Sequence, residues 1–368
     1  MVKKSMYQNA GPMRACLWSG LALSFILSSA PASARVQAEE ATGADSEQVI
    51  PNVTTVIKGL HHPCGIAVQQ GTGEVYVSEG GRGRIVRVAG GKVEPIVTGF
   101  PVRRYYVGST DMQCELGPLG LVFLGQDTLV VGGGGLADGA DLLRVYTLPP
   151  RGESISAEKM TQSLGPIAAG SLSSGGEGDF YGVVATKGAV YVTCNGDDEK
   201  GWIARTARSD NQLNDLVPFS PTKVQSGVGA PMGIAVSKQG YLVVAQMGAL
   251  DTSIDSALGF YDAVNGDLLA MFSTGLHDVV AVAYGPKSGR LYALDLAWGG
   301  GQSGGLYRID ATLKDNRPAV SAVKLIEFDK PTAMSFAADR SLYVTTMGTP
   351  QDGQDEPTGK LLRIAAGL

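Results

Sequence analysis

Charged residues, histidines and cysteines are scarce in this sequence of 368 residues. Only 18% of the residues are charged and the net charge is −5, which argues against a nucleic-acid partner, because binding a phosphate backbone requires clustered Lys and Arg. None of the four cysteines lies in the Cys-x-x-Cys spacing of a zinc site. Beyond residue 50, no apolar run reaches the ~18 residues that a membrane-spanning helix needs.

Glycine, in contrast, is abundant, with 51 residues, or about twice its usual share. Together with the few charges, this composition predicts many short strands joined by tight turns. One phrase recurs six times: a Pro-x-Gly-type turn with a short apolar strand, a strand rich in Tyr and Val, and a third strand that carries Leu/Ile-x-Arg in five copies and Tyr261 in place of the Arg in the fourth. The first copy spans residues 63–88.

The period of this repeat, about 50 residues with four strands in each copy, is typical of a β-propeller. Small residues recur at one point of the first strand, where they allow the innermost strands to approach one another around an axis. These residues are Gly65, Gly120, Gly182, Gly233, Ala281 and Ala333. The sequence therefore predicts an all-β, six-bladed β-propeller of four-stranded antiparallel blades.

The sixth repeat ends at residues 361–364 after three strands, whereas residues 53–58 form an orphan strand before the first repeat. We expect this N-terminal strand to complete the last blade and to close a single propeller over residues 51–368, which would leave no large sheet edge exposed. Such a closed chain is expected to be a monomer. The alternative is two domains of three repeats each.

The N-terminus has the pattern of a targeting segment. Lys3, Lys4 and Arg14 precede an apolar stretch at residues 15–29, and Ala-Ser-Ala at residues 32–34 fits a cleavage site. We expect a signal peptide at residues 1–34, a flexible leader at residues 35–50, and export to the periplasm or the extracellular space. An uncleaved signal anchor is the alternative.

In a propeller, the loops before the first strand and after the second strand open on one face around the central channel. This placement gathers acidic, amide and imidazole side chains, a set that suits a hard cation such as Ca²⁺ or a polar funnel filled with water. The candidate metal ligands are Glu79, Glu115, Asn195 and Asp295, and His61, His62 and Gln246 are candidates for ligand binding.

His277 and Asp278 are the candidates for acid–base catalysis, because histidine titrates near neutrality. The alternative for His277 is an ordinary surface histidine.

A long loop at residues 101–117 carries Arg103, Arg104, Tyr105 and Tyr106, which could grip an anionic or aromatic ligand or pack onto their own blade.

Two cysteines lie near this face. Cys114 lies near the end of the long loop and Cys64 opens the first blade. A Cys64–Cys114 disulfide would attach the long loop to the first blade. Two buried thiols are the alternative.

The run Gly-Leu-His-His-Pro-Cys-Gly-Ile-Ala-Val at residues 59–68, followed by Val-Tyr-Val-Ser-Glu at residues 75–79, resembles the NHL repeat of six-bladed propellers. Residues 98–101, 117–120 and 142–145 look like exported bacterial NHL-type propellers grouped with scytonemin biosynthesis. Enzymes of similar fold include the gluconolactonase and strictosidine synthase-like families.

The resemblance to the lactonases implies a metal site made of one Glu, two Asn and one Asp at the inner mouth of the channel. Glu115, Asn195 and Asp295 match three of those parts, and Gln246 departs from the pattern.

The sequence therefore predicts an exported propeller that binds a small-molecule ligand or a protein partner at the channel mouth. The alternative is a metal-dependent, lactonase-like hydrolase with its site at the same mouth, so catalysis itself stays open.

Overall fold

The computed structural model describes residues 52–106, 113–195, 201–299, 303–349 and 357–368. The predicted signal peptide and leader lie outside these residues. The strands in chain order are β1 (Val53–Leu60), β2 (Pro63–Val68), β3 (Val75–Glu79), β4 (Arg84–Ala89), β5 (Lys92–Thr98), β6 (Arg103–Tyr106), β7 (Gln113–Leu116), β8 (Pro118–Phe123), β9 (Thr128–Gly133), β10 (Leu143–Thr147), β11 (Ile155–Ser156), β12 (Gln162–Leu164), β13 (Phe180–Ala185), β14 (Ala189–Cys194), β15 (Trp202–Ser209), β16 (Gln212–Leu213), β17 (Val217–Ser220), β18 (Pro231–Val236), β19 (Leu242–Gln246), β20 (Ala257–Tyr261), β21 (Leu268–Ser273), β22 (Val279–Tyr284), β23 (Leu291–Asp295), β24 (Gly304–Lys314), β25 (Arg317–Phe328), β26 (Pro331–Phe336), β27 (Leu342–Thr346) and β28 (Gly359–Ile364).

Six antiparallel sheets form the blades of a six-bladed β-propeller, as predicted. Blade 1 contains β2–β5, blade 2 contains β8, β9, β10 and β12, and blade 3 contains β13, β14, β15 and β17. Blade 4 contains β18–β21, blade 5 contains β22–β25, and blade 6 contains β26, β27, β28 and β1. The first strands of successive blades contact one another, and that of blade 6 contacts that of blade 1, which closes the ring.

Three short additions decorate this ring. Strand β11 extends blade 1 by pairing parallel with β5, β16 pairs with the end of β15, and β6 and β7 form a separate hairpin between blades 1 and 2. The single α-helix of the described residues, Thr222–Ser226, has five residues. No helix within the described ranges is long and apolar enough to cross a membrane.

The N-terminal strand closes the ring as predicted. Val53 pairs with Ile364 and Lys58 with Lys360 in an antiparallel ladder between β1 and β28. The strand extends to Leu60, two residues beyond the predicted end. The two three-repeat domains considered as an alternative are therefore not formed.

The repeated small residues of the first strands face the backbone of the next blade. A Cβ built on Gly65 would overlap the carbonyl oxygen of Leu119, and one built on Gly120 would overlap that of Tyr181. Glycine is required here for close approach rather than for backbone freedom.

The repeated Arg of the third strand faces the repeated Tyr of the second strand. Four cross-strand pairs show this register: Tyr76–Arg87, Tyr191–Arg205, Tyr292–Arg308 and Tyr343–Arg363. In blade 3, the guanidinium carbon of Arg205 lies 5.9 Å from the centroid of the Tyr191 ring. The Tyr and Arg positions of the repeat thus stabilise these four blades through cross-strand packing.

The hydrophobic core is divided into clusters that join neighbouring blades. Val145 of blade 2 shares one cluster with Val190 of blade 3, and Val77 of blade 1 shares another with Leu361 of blade 6. The cluster between blades 5 and 6 continues into the channel. Because each blade buries both faces only through its neighbours, the ring is stable as a unit.

Candidate functional site

Two positions of the repeat line one end of the central channel in most blades: the second residue of the first strand, and the residue that follows the second strand. In blades 4 and 6 the second position is fixed by backbone hydrogen bonds, because the N–H groups of Met247 and Met347 each donate over 2.9 Å to the carbonyls of Ala230 and Lys330. The channel-facing residues at one end are Cys64, Leu119, Tyr181, Met232 and Thr332 from the first position, and Asn195, Met247, Leu296 and Met347 from the second.

These residues enclose a cavity of about 300 Å³ at the channel mouth. Its walls are more apolar than polar, and the apolar part includes Trp298, Leu250 and the three methionines Met232, Met247 and Met347. Methionine side chains adapt to irregular shapes, so this lining suits a bound organic molecule better than an ordered metal ion.

A tyrosine spans the channel at this cavity. The hydroxyl of Tyr181, in blade 3, donates a hydrogen bond over 3.0 Å to the carbonyl of Thr332, in the opposite blade 6. Burial raises the pKa of Tyr181 well above its usual value, so the phenol stays neutral. The contact bounds the cavity on one side.

The hairpin of β6 and β7 forms the remaining wall, because Arg103, Tyr105, Cys114 and Leu116 line the cavity. In blades 1 and 2 the residue that follows the second strand is a glycine, and the missing side chain leaves room for the hairpin. A Cβ on Gly80, for example, would come within 2.9 Å of the Glu115 carbonyl oxygen.

Arg103 links the hairpin to blade 3. Its Nη2 donates to both carboxylate oxygens of Asp179, over 2.9 and 3.0 Å, and both residues line the cavity. Burial raises the pKa of Asp179 to about 7, and the neighbouring Asp141 adds to this effect while Arg103 opposes it. A carboxyl group that titrates near neutrality in a cavity is suited to proton transfer.

A second polar cluster lies where the hairpin meets blade 1. His61 Nε2 lies 3.0 Å from Glu115 Oε2, and His62 Nδ1 accepts a hydrogen bond over 3.0 Å from the Glu115 backbone N–H. Arg104 Nε donates to Glu115 Oε1 over 3.1 Å, although its side chain is two-thirds exposed. Burial is the main cause that lowers the pKa of His62.

Of the four predicted metal ligands, only Asn195 lines the cavity. Glu79 and Asp295 end their second strands and accept hydrogen bonds from the loop that leads into the first strand. Glu79 Oε1 accepts from the His61 N–H over 2.9 Å, and Asp295 Oδ1 accepts from the Asp278 N–H over 2.8 Å. The structure therefore does not bring the four residues together.

Gln246 occupies the same position in blade 4 and is also buried. Its Nε2 donates to Ser226 and Val228, and its Oε1 accepts from the Tyr261 hydroxyl over 2.8 Å. Gln246 does not line the cavity.

The predicted catalytic pair lies beside the mouth. His277 Nδ1 lies 3.1 Å from the Ser253 carbonyl, and Asp278 Oδ2 accepts from the Trp298 N–H over 2.6 Å. Burial raises the pKa of Asp278 to about 7. Neither side chain lines the cavity.

The predicted Cys64–Cys114 disulfide is absent, and both residues are free thiols. The Cys64 thiol is buried in the channel wall, and its Sγ instead donates to the His62 carbonyl over 3.2 Å. Both cysteines line the cavity, and burial raises the pKa of Cys114 to about 12. The alternative of free thiols is the one observed, with Cys64 buried and Cys114 partly buried.

Of the loop residues predicted to bind a ligand, Arg103 and Tyr105 line the cavity, whereas Arg104 turns to Glu115. Tyr106 pairs through its backbone with Gln113.

Sequence reasoning placed Asp179 at the channel mouth but missed the methionines, Trp298 and Asp138 as site residues. In blades 4 and 5 the channel-facing residue is Met247 or Leu296, one position after the polar residue that the repeat pattern singled out. Extending the aligned repeats by one residue would have found both.

No family model and no curated protein sequence matches this chain. Several solved structures match its fold. An oxidoreductase from Thermus thermophilus, assigned as a glucose dehydrogenase, is 19% identical, with a TM-score of 0.57 over 85% of this chain and 99% of that one. The soluble aldose sugar dehydrogenase of Escherichia coli is 14% identical, with a TM-score of 0.56 over 86% and 99%.

A protein assigned as a gluconolactonase is also 14% identical, with a TM-score of 0.53 over 86% of this chain and 92% of that one. At these identities the likeness is one of fold. The chain is therefore a six-bladed β-propeller whose structural neighbours include gluconolactonase-like and sugar dehydrogenase-like propellers.

Proposed function

We propose that this protein binds a small organic molecule in the cavity at the channel mouth. The observation that carries the proposal is the cavity itself: about 300 Å³, walled by methionines, leucines and Trp298, with charged groups from Arg103, Asp138 and Asp179 among them. Pockets of this size that combine apolar walls with few polar groups are typical of small-molecule sites. A protein partner would need a broader and flatter surface.

The polar groups define the chemistry of the ligand. The Arg103–Asp179 pair offers charged hydrogen-bonding groups, and within the described part of the chain the Asn195 amide donates to the Met232 thioether, over 3.1 Å. Sulfur is a weak acceptor, so a ligand hydroxyl or carbonyl can replace it at little cost. The expected ligand has an apolar or aromatic body and one hydrogen-bonding head group.

Fluorescence titration with anilinonaphthalene sulfonate, a dye with an aromatic body and a polar head, tests this proposal. We expect enhanced dye emission together with energy transfer from Trp298. Leu250→Trp fills the cavity from a partly buried loop and should weaken dye binding about tenfold or more, a loss of ~1.4 kcal/mol. Val264→Trp, at an 82% exposed position, is the matched control. Equal dye binding by both variants would overturn the proposal.

Hydrolysis of a lactone is the second candidate function, and the elevated pKa of Asp179 in the cavity wall favours it. Asp179 would take a proton from water while the water oxygen bonds to the lactone carbonyl carbon. The ring C–O bond then breaks, and the proton passes to the departing alkoxide. Arg103 would stabilise the negative charge that develops on the carbonyl oxygen.

Gluconolactone is the probe for this second candidate. Asp179→Asn should lower kcat by about 100-fold or more without a matching loss of dye binding. Elemental analysis tests the metal-dependent form of the same hypothesis, which expects a stoichiometric divalent ion such as Ca²⁺. A wild-type protein that hydrolyses no lactone, with or without Ca²⁺, would eliminate the hydrolase.

We also propose that the chain is exported and cleaved after Ala34. The support is the pattern of residues 1–34, with basic residues, an apolar stretch and small residues in order. Mass spectrometry of the exported protein should find an N-terminus at Arg35. A protein that still begins at residue 1 would favour the uncleaved signal anchor.

A relationship to NHL-repeat propellers is a further proposal, supported by residues 59–68 and 75–79. Superposition on solved NHL-repeat propellers tests it, and a fit no better than that to the sugar dehydrogenases would count against it.

A further inference from the structure

We propose that His61, His62 and Glu115 form a binding site for a divalent cation of the Zn²⁺ type, which fastens the β6–β7 hairpin to blade 1. One potential ligand atom from each residue lies within 4.8 Å of the other two. Two imidazoles and one carboxylate, with a further position open to water, are a ligand set that zinc accepts. None of the three lines the apolar cavity, so the site is separate from it.

The carboxylate supports this assignment through its unused oxygen. Glu115 Oε2 is buried and accepts no hydrogen bond from the described residues, although His61 Nε2 is only 3.0 Å away. The two atoms are thus close together without the alignment of an N–H···O hydrogen bond. Atoms in this relation can both direct lone pairs at one cation, which would compensate the buried oxygen.

The residue that lies against the cluster has no side chain. Gly81 lies beside the cluster, and a Cβ there would come within 2.8 Å of Glu115 Oε2 and 2.9 Å of the His61 ring. Arg104 holds the other oxygen of the carboxylate and can orient it as an outer hydrogen-bond donor. A cation at His62 Nδ1 would exchange the hydrogen bond from the Glu115 N–H for a coordination bond.

The consequence concerns the cavity. Cys114 and Leu116 flank Glu115 in β7 and line the cavity, whereas His61 and His62 immediately precede β2 of blade 1. A cation shared by these elements would therefore fix the hairpin wall of the cavity against the ring.

Titration with Co²⁺ as a spectroscopic probe, followed by competition with Zn²⁺, tests the site. We expect one Co²⁺ per chain, with visible absorption bands of nitrogen and oxygen ligation and no thiolate charge-transfer band. His61→Ala and Glu115→Gln should each weaken binding by about 100-fold or more. His277→Ala removes the remaining histidine and should leave binding unchanged.

Thermal unfolding of each variant without metal shows whether it is folded. Gly81→Ala is a further variant, which adds a methyl group beside Glu115 and the His61 ring and keeps all three ligands. Wild-type protein that binds Co²⁺ no more tightly than Glu115→Gln would overturn the proposal. A thiolate charge-transfer band would also overturn it, because the cation would then be bound by cysteine.

Discussion

At the scale of single residues, a carboxylate at the end of a second strand is a structural acceptor. Asp295 is almost fully buried and accepts hydrogen bonds from the backbone N–H groups of His277, Asp278 and Ala297. Glu79 has the same role in blade 1 through the His61 N–H. These residues hold the loops from which the channel mouth is built.

Asp295→Ala should therefore lower the free energy of unfolding by ~3 kcal/mol, because several buried N–H groups lose their acceptor. Urea denaturation measures this. Asp310→Ala removes a partly exposed carboxylate that pairs with Arg308, and it should cost less than ~1 kcal/mol. If Ca²⁺ instead stabilises the wild type and Asp295→Ala abolishes that effect, Asp295 is a metal ligand as the sequence suggested.

The titration of Asp179 predicts a dependence of stability on pH. Folding raises the pKa of Asp179 from 3.8 to about 7. Between these two pH values, Asp179 therefore keeps its proton in the folded protein and has lost it in the unfolded chain. Stability must then fall as the pH rises through this interval, and it must level off above it. Asp179→Asn should lose this contribution.

Urea unfolding of wild type and Asp179→Asn at about pH 5 and about pH 8 measures the difference. Asp278, whose pKa is also raised to about 7, contributes the same trend to both proteins and cancels in the comparison. Identical pH profiles for the two proteins would show that Asp179 titrates normally.

At the scale of elements, the first strands and the closing strand carry the fold. Gly65→Ala should destabilise the protein by ~3 kcal/mol, because its Cβ would overlap a backbone carbonyl of the next blade. Gly188→Ala is the control, since no atom lies within 4 Å of its Cβ position. Comparable unfolding midpoints for the two variants would contradict the close approach of blades 1 and 2.

Strand β1 supplies the second test at this scale. A chain that begins at residue 61 lacks the partner of β28 and exposes the edge of blade 6. We expect it to aggregate or to unfold at markedly lower urea concentration than a chain that begins at residue 51. Equal stability would mean that ring closure by β1 is dispensable.

At the scale of the whole molecule, the sequence predicts the ring far better than the site. The small residues of the first strands recur in all six blades and the Tyr–Arg pairs in four of them, so their period reveals the fold. The cavity depends on residues that differ between blades, such as Met247 and Leu296, and on a hairpin inserted between two repeats. Repetition carries no information about such positions, which is why Glu79, Gln246 and Asp295 were predicted to face the mouth instead.

The most direct test of the central claim, that the cavity is a small-molecule site, is NMR of protein labelled with ¹³C in its methionine methyl groups. On addition of anilinonaphthalene sulfonate, the signals of Met232, Met247 and Met347 should shift together and saturably. Those of Met160 and Met271, which lie away from the cavity, should stay in place. Unchanged signals from the three cavity methionines at saturating dye would contradict the proposed binding site.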